Sequence, residues 1–303
     1  CSSDNHSLDG VTAGNGQVCI LDGTAPHVVD PVFPGAVDKI IHLGDYWNAD
    51  LIKAHKDEVI SLTYKIGTCF NRAYIRLKEI QSAFEEIKSY SREAQNLATV
   101  NKNILALGND FLQHAKDSGR PARHMFAAAL TPEGVENKVL SLIDDSYTVY
   151  AVKGSPGSGV KDLFRYIEHM LTLSNQYAEI YHCPFDPMDI DMIILPQNKA
   201  VMADVSSHIV DYAQYFPSKK YRRFLDFDGF MDSALFASYE KQLKAARERI
   251  DTGLGDALSF IKTAKSWHDE LETFYVPAMD FDRIEELRKD VTAQLLTVLK
   301  PNV

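Results

Sequence analysis

The chain has 303 residues, 45% of them hydrophobic and 24% charged, and carries a formal net charge of -10. That length and composition suit roughly two globular domains and exclude a disordered or fibrous chain. The acidic balance argues against an open surface for nucleic acid or anionic lipid, since either polyanion would repel it.

No segment approaches the roughly 18 consecutive apolar residues of a membrane span. The opening residues CSSDNHSLDG have neither the basic nor the apolar region of an export signal. Cys1, Cys19, Cys69 and Cys183 are scattered without CxxC spacing, so neither a zinc site nor a redox pair is indicated, and a reducing cytoplasm is the expected compartment. The sequence opens on Cys rather than Met, beside what reads as a strand end, so a truncated first domain is expected.

Taken in chain order, the first predicted element is an apolar run, Val18-Cys19-Ile20-Leu21, ending in Asp22. A short all-apolar run closed by a polar turn is the pattern of a strand buried on both faces. A long helical region follows over residues ~49–115, where Leu51, Ala54, His55, Val59, Leu62, Ile66, Phe70, Ala73, Leu77, Ile80 and Phe84 form one helical stripe. This stripe reads as packing within a helical hairpin rather than as a coiled-coil surface. Residues 116–123, KDSGRPAR, read as a loop. His124 to Leu130 can form a strand, and Thr131-Pro132 can cap and open a helix over 133–143.

Tyr147 to Lys153 is rich in β-branched and aromatic residues and predicts a buried strand. Directly after it stand Gly154-Ser155-Pro156-Gly157-Ser158-Gly159-Val160-Lys161, and an amphipathic helix opens at Asp162. Strand, glycine loop and helix in this order are the context of the phosphate-binding pattern GxxxxGK[ST]. Its glycines let backbone N–H groups turn inward on phosphate oxygens, and the helix N-terminus adds partial positive charge.

The pattern departs at the two positions that carry chemistry. Val160 stands where a lysine would reach the β- and γ-phosphates, and Lys161 stands where Ser or Thr would hold Mg²⁺. A loop that keeps the anion cradle without hydrolysis is therefore expected. The next apolar run, Ala200-Val201-Met202-Ala203, ends in Asp204, the place for a carboxylate that holds Mg²⁺ through water. A second helical region runs over ~232–299, interrupted at Pro277.

The two halves repeat. At one constant offset Cys1 aligns with Cys183, Asp4 with Asp186, Asp9 with Asp191 and Asp22 with Asp204. After one deletion His27 aligns with His208 and Asp30 with Asp211, which makes duplication the better account. The same offset puts a first phosphate loop about 28 residues before Cys1. The sequence thus divides into a first copy at 1–119, lacking its loop, strand and helix, and a second at 120–303. The expected class is α/β: two tandem P-loop NTPase-like three-layer units with parallel sheets, each with a helical insertion after the acidic strand end.

These residues resemble the tandem P-loop ATPase or nucleotide-kinase-like proteins found mainly in spore-forming Firmicutes. The resemblance lies in His182-Cys183-x-x-Asp186 with Asp189-x-Asp191, in Cys1-Ser2-Ser3-Asp4 with Leu8-Asp9-Gly10, in Asp22-Gly23-Thr24-Ala25-Pro26-His27, in Pro34-Gly35-Ala36-Val37-Asp38, and in Arg123-His124-Met125-Phe126. It implies two fused P-loop domains and binding of ATP with Mg²⁺. On it, Asp22 and Asp204 are the carboxylates at the metal. Gly154, Gly157, Ser158, Gly159, Val160, Lys161 and Asp162 form the phosphate loop. His27 and His208 are candidates for orienting water or sensing a γ-phosphate. Two functions compete: phosphoryl transfer or ATP hydrolysis, and an interaction or scaffold protein built on P-loop folds, with protein partners open.

Overall fold

The computed structural model describes residues 4–14, 16–24, 28–116, 120–216 and 221–299. The chain forms two compact units, one of residues 1–71 with 261–303 and one of residues 72–260. These units follow spatial contact, whereas the division at 119/120 follows the loop read at residues 116–123.

In the first unit, β1 (Gly10–Ala13) and β2 (Val18–Leu21) pair antiparallel in a two-stranded ribbon, with Gly10 opposite Leu21 and Ala13 opposite Val18. The sequence predicts a parallel strand buried on both faces here, and the structure corrects it: Ile20 is 46% and Leu21 54% exposed. Apolar composition buries a strand only where neighbours cover it, and among the described residues β2 pairs only with β1. The expected three-layer unit is therefore absent from the described residues of the first copy. Asn48 caps the short helix α1 (Ala49–Lys53) by accepting from the Asp50 and Leu51 amides. The same unit holds the start of α2 (Lys56–Ala94).

The second unit is built on a six-stranded sheet. Preceding it in sequence are the rest of α2 and α3 (Leu97–Leu112), whose N-cap Asn96 accepts from Thr99 N–H. The strands are β3 (Arg123–Phe126), β6 (Thr148–Lys153), β7 (Glu179–His182), β8 (Ile190–Leu195), β9 (Ala200–Asp204) and β10 (Tyr221–Asp226). Their order is β10-β6-β9-β8-β7-β3. β10, β6 and β9 run parallel, β3 runs parallel to β7, and β8 alone is antiparallel to both its neighbours. The strands over 147–153 and 200–204 are thus adjacent and parallel, the arrangement expected if the glycine loop and Asp204 are to meet at one site.

Period-two alternation sorts the strand residues between two cores. Tyr150, Val152, Ala200 and Met202 face α3 and α5 (Val160–Leu173), where Leu163, Phe164, Ile167 and Leu171 are fully buried. Each such side chain contributes about 1.5–3 kcal/mol. Gly108 on α3 lets this layer close, since a Cβ there would lie 2.7 Å from the Tyr166 ring.

Val149, Ala151, Val201 and Ala203 face the opposite core with Ala128, Val139, Tyr212 and Phe216. Part of that side is an antiparallel hairpin of β4 (Ala128–Thr131) and β5 (Gly134–Asn137), followed by the one-turn helix α4 (Val139–Leu142). The helix predicted over 133–143 is corrected here. Gly134 has φ 119, and Thr131 Oγ1 donates to Gly134 O at 2.9 Å, so Pro132-Glu133 is the tip of a hairpin.

The second helical region consists of α6 (Ser233–Ser238), α7 (Glu240–Tyr275) and α8 (Phe281–Val298). A turn at Val276–Ala278 holds the proline that breaks α7 from α8. Within the second unit, Ile80, Ala83, Phe84 and Ile87 of α2 pack on Leu243, Ala246 and Ile250 of α7. The stripe thus serves packing on another helix of the chain, but the partner is α7 of the second helical region, not the other arm of a hairpin within residues ~49–115.

Candidate functional site

The loop between β6 and α5 has the backbone that its glycines foretell. Gly157 has φ 86 and Gly159 φ 115, left-handed values that a residue with a Cβ rarely adopts. Ser158 N–H donates to Ser155 O at 2.9 Å, and the first bond into α5 runs from Leu163 N–H to Gly159 O. No side chain caps this helix. The amides of Val160, Lys161 and Asp162 therefore have no acceptor within the helix, and they lie where its dipole is positive.

Neighbouring elements hold the loop at several points. Gly154 N–H donates to Ser206 Oγ at 3.0 Å, and His208 Nε2 donates to Gly154 O at 2.9 Å. Asp228, just beyond β10, accepts from Ser155 N at 2.6 Å and from Ser155 Oγ at 2.9 Å. Gln95, at the end of α2, donates to Ser158 O at 2.7 Å. A Cβ on Gly157 would stand 2.8 Å from the Lys88 backbone, so α2 rests directly on the loop. The Ser158 side chain is fully buried, and its Oγ has no hydrogen-bond partner.

Val160 is 4% exposed and belongs to the core shared by α3, α5 and the sheet. The position where the pattern has a phosphate-contacting lysine here serves packing. Lys161 turns to the sheet edge instead, where its Nζ lies 2.6 Å from Asp191 Oδ1, 2.9 Å from Asp204 Oδ2 and 3.0 Å from Ile190 O.

The sheet register explains this meeting. β8 runs against β9 with Met192 opposite Ala203, so one residue further along Asp191 and Asp204 come side by side. Both residues are 6% exposed. Burial alone would push the Asp204 carboxyl up, but the Lys161 ammonium and the Ser206 hydroxyl hold it below the ordinary range. Burial raises Asp191, with Lys161 offsetting it only in part and Asp204 adding to it. Lys161 would be depressed by burial, yet the two carboxylates carry it well above the ordinary lysine value. Cys183 is pushed up to about 12 by burial first and Asp191 second, which makes it an inert thiol rather than a nucleophile.

Asp191 and Asp204 could in principle hold a divalent ion, with a hydroxyl at position 161 as third ligand. As the residues stand they do not fit one. Mg²⁺ requires oxygen ligands at 2.0–2.1 Å in near-octahedral array, whereas an ammonium already occupies the point the two carboxylates share.

Two recesses adjoin the loop. One, of about 40 Å³, lies between Lys88 and Arg92 of α2 and the loop itself, with Lys161 and Arg165 among its walls. The other, of about 70 Å³, is lined by Phe84, Cys183, Phe185, Ile209 and Val210 and borders the carboxylates.

The structure thus brings together Gly154, Gly157, Ser158, Gly159, Val160, Lys161, Asp162, Asp204 and His208. His208 is engaged with the loop backbone. Asp22 belongs to the other compact unit, follows the β1–β2 ribbon and accepts from Thr24 N–H at 2.9 Å. His27 lies outside the described residues. Sequence reasoning did not single out Asp228, Lys88 or Arg92, which come from distant segments, nor Asp191 as a site residue, although the repeat recorded it opposite Asp9. No family model matches the sequence, and no curated protein and no solved structure matches the chain.

Proposed function

We propose that residues 154–162 bind the phosphate groups of a nucleoside triphosphate, with ATP as the reference ligand, and that the chain is a cytoplasmic ATP-binding protein of P-loop type. One observation carries the reading: the loop of left-handed glycines opens into an uncapped helix beside a strand that ends in Asp204. Strand order supports it, because the edge where Gly154 follows β6 is the edge where Asp204 ends β9. The kinase-like or ATPase reaction implied by the family resemblance would need a metal at Asp204 and a lysine at 160. The residues at 160 and 161 supply neither, which favours nucleotide binding without turnover in this half and keeps the scaffold reading as the second choice.

The test is amide chemical-shift mapping of the whole chain with ATP, followed by calorimetric titration. The expected result is saturable shifts centred on Gly157, Gly159, Val160, Lys161 and Asp162. Absence of shifts at millimolar ATP, or shifts confined to other segments, overturns the reading.

A further inference from the structure

We infer that Lys161 is a tethered cation standing in for the divalent ion, so that the recess over the loop takes a polyphosphate free of metal. This rests on the phosphate-binding reading above and names the form of ligand that the same site accepts.

The argument is one of place and charge. Two carboxylates side by side at a strand edge, next to a phosphate loop, are a cation site, and the cation present is part of the chain. Its Nζ bonds an oxygen from each of Ile190, Asp191 and Asp204 at 2.6–3.0 Å. A divalent ion could enter only by expelling that ammonium, which would then remain as a like charge within a few ångströms. The neutralisation of Asp204 that a metal would provide is already made.

The phosphate must then find its counter-charges elsewhere, and α2 brings them. Lys88, Arg92 and Gln95 stand at i, i+4 and i+7, one face of a helix. That face is laid on the loop by the contact of Gly157 with the Lys88 backbone and by the Gln95 bond to Ser158 O. Lys88 is held by Glu85 at 2.8 Å and lies 3.8 Å from Asp189. Arg92 is exposed and has no ion pair among the described residues, yet it lines the recess. At the 10–15 Å³ that one water needs, the 40 Å³ recess holds about three waters, the space of one phosphoryl group's free oxygens. Free amides at the mouth of α5, with Arg92 opposite, make a metal-free anion site.

The test has two arms. In the first, Mn²⁺ binding is measured by electron paramagnetic resonance without nucleotide, on the parent chain and on Lys161→Ser. The variant should bind Mn²⁺ at least tenfold more tightly than the parent. Equal binding by both overturns the inference. Where the single variant does not fold, Lys161→Ser with Asp191→Asn relieves the like-charge pair and leaves the introduced hydroxyl beside Asp204, and it should bind Mn²⁺ in the same way.

In the second arm ATP is titrated with Mg²⁺ and with EDTA. The parent affinity should differ by less than about twofold between the two, and Arg92→Ala should weaken it roughly tenfold. An ATP affinity that appears only with Mg²⁺ overturns the inference. If ATP does not bind under either condition while the Mn²⁺ arm comes out as expected, the phosphate reading fails and the role of Lys161 stands.

Discussion

At position 161 one ammonium faces oxygens from Ile190, Asp191 and Asp204, and its side chain is only 23% exposed. Truncating it leaves two buried carboxylates with no counter-charge, a change that costs about 3–5 kcal/mol in comparable buried pairs. Lys161→Met should lower stability by that amount in urea unfolding, and adding Asp191→Asn and Asp204→Asn should restore most of the loss, because apolar or neutral replacement of a whole cluster is often nearly neutral. The pH dependence follows from the opposite shifts of the two acids. Asp204 is depressed, so its contribution is complete above the ordinary value of 3.8 and is lost as pH falls through its lower folded value. Asp191 is raised, so its ionisation removes stability as pH rises through its folded value. Asp204→Asn should therefore abolish part of the stability loss seen below pH 3.8, measured as the urea midpoint against pH. An unchanged acid limb would contradict the ion-pair geometry.

Two helical glycines separate packing from propensity at the scale of elements. Gly67 in α2 has open space around it, whereas a Cβ on Gly108 in α3 would meet the Tyr166 ring at 2.7 Å. Gly67→Ala should stabilise by about 0.5–1 kcal/mol. Gly108→Ala should destabilise despite the same gain in helix propensity, since it pushes α3 from α5. Thermal unfolding of the two variants decides between them. What was legible in the sequence follows the same line. Ala200–Asp204 reads as a strand because Ala200 to Ala203 each face one core or the other, and the loop at 154–159 reads from its glycines alone. The hairpin at 128–137 was missed because Thr131-Pro132-Glu133-Gly134 fits both a helix cap and a turn with Pro second and Gly fourth, and only tertiary burial chooses. Asp191 could not be assigned to the site because its place depends on β8 running antiparallel, which no local pattern records. Arg92 and Lys88 belong to no motif that the sequence offers, and only the approach of α2 to Gly157 gives them a role.

For the whole molecule, burial predicts a steep gradient of local stability. Tyr150–Val152 and Ala200–Ala203 are fully buried in a sheet covered on both faces, while the β1–β2 ribbon is exposed along most of its length. Hydrogen exchange should show the slowest amides at 149–152 and 200–203, and protection at 10–21 should be lower by several orders of magnitude. Comparable protection in the two would mean that the ribbon is covered by a surface the described residues do not show. Within the second unit, Lys88, Arg92, Lys161 and Arg165 line one recess together with the carboxylates of Asp162, Asp189 and Asp204.

The reversal of β8 also sets the order of assembly. Because β8 is antiparallel to β7 and β9, the three strands form a continuous meander between Glu179 and Asp204, joined by short connections. β10, by contrast, must find β6 across a long stretch of chain. Low contact order favours the meander as the folding nucleus. Ile193→Val should therefore give a φ-value of about 0.5–0.8, and a conservative change at Leu225 a value near 0–0.3. Asp191 and Asp204 both belong to the meander, whereas Lys161 arrives with α5. The transition state thus gathers two like charges before their counter-ion docks, and refolding should accelerate as the solution is acidified toward protonation of Asp191.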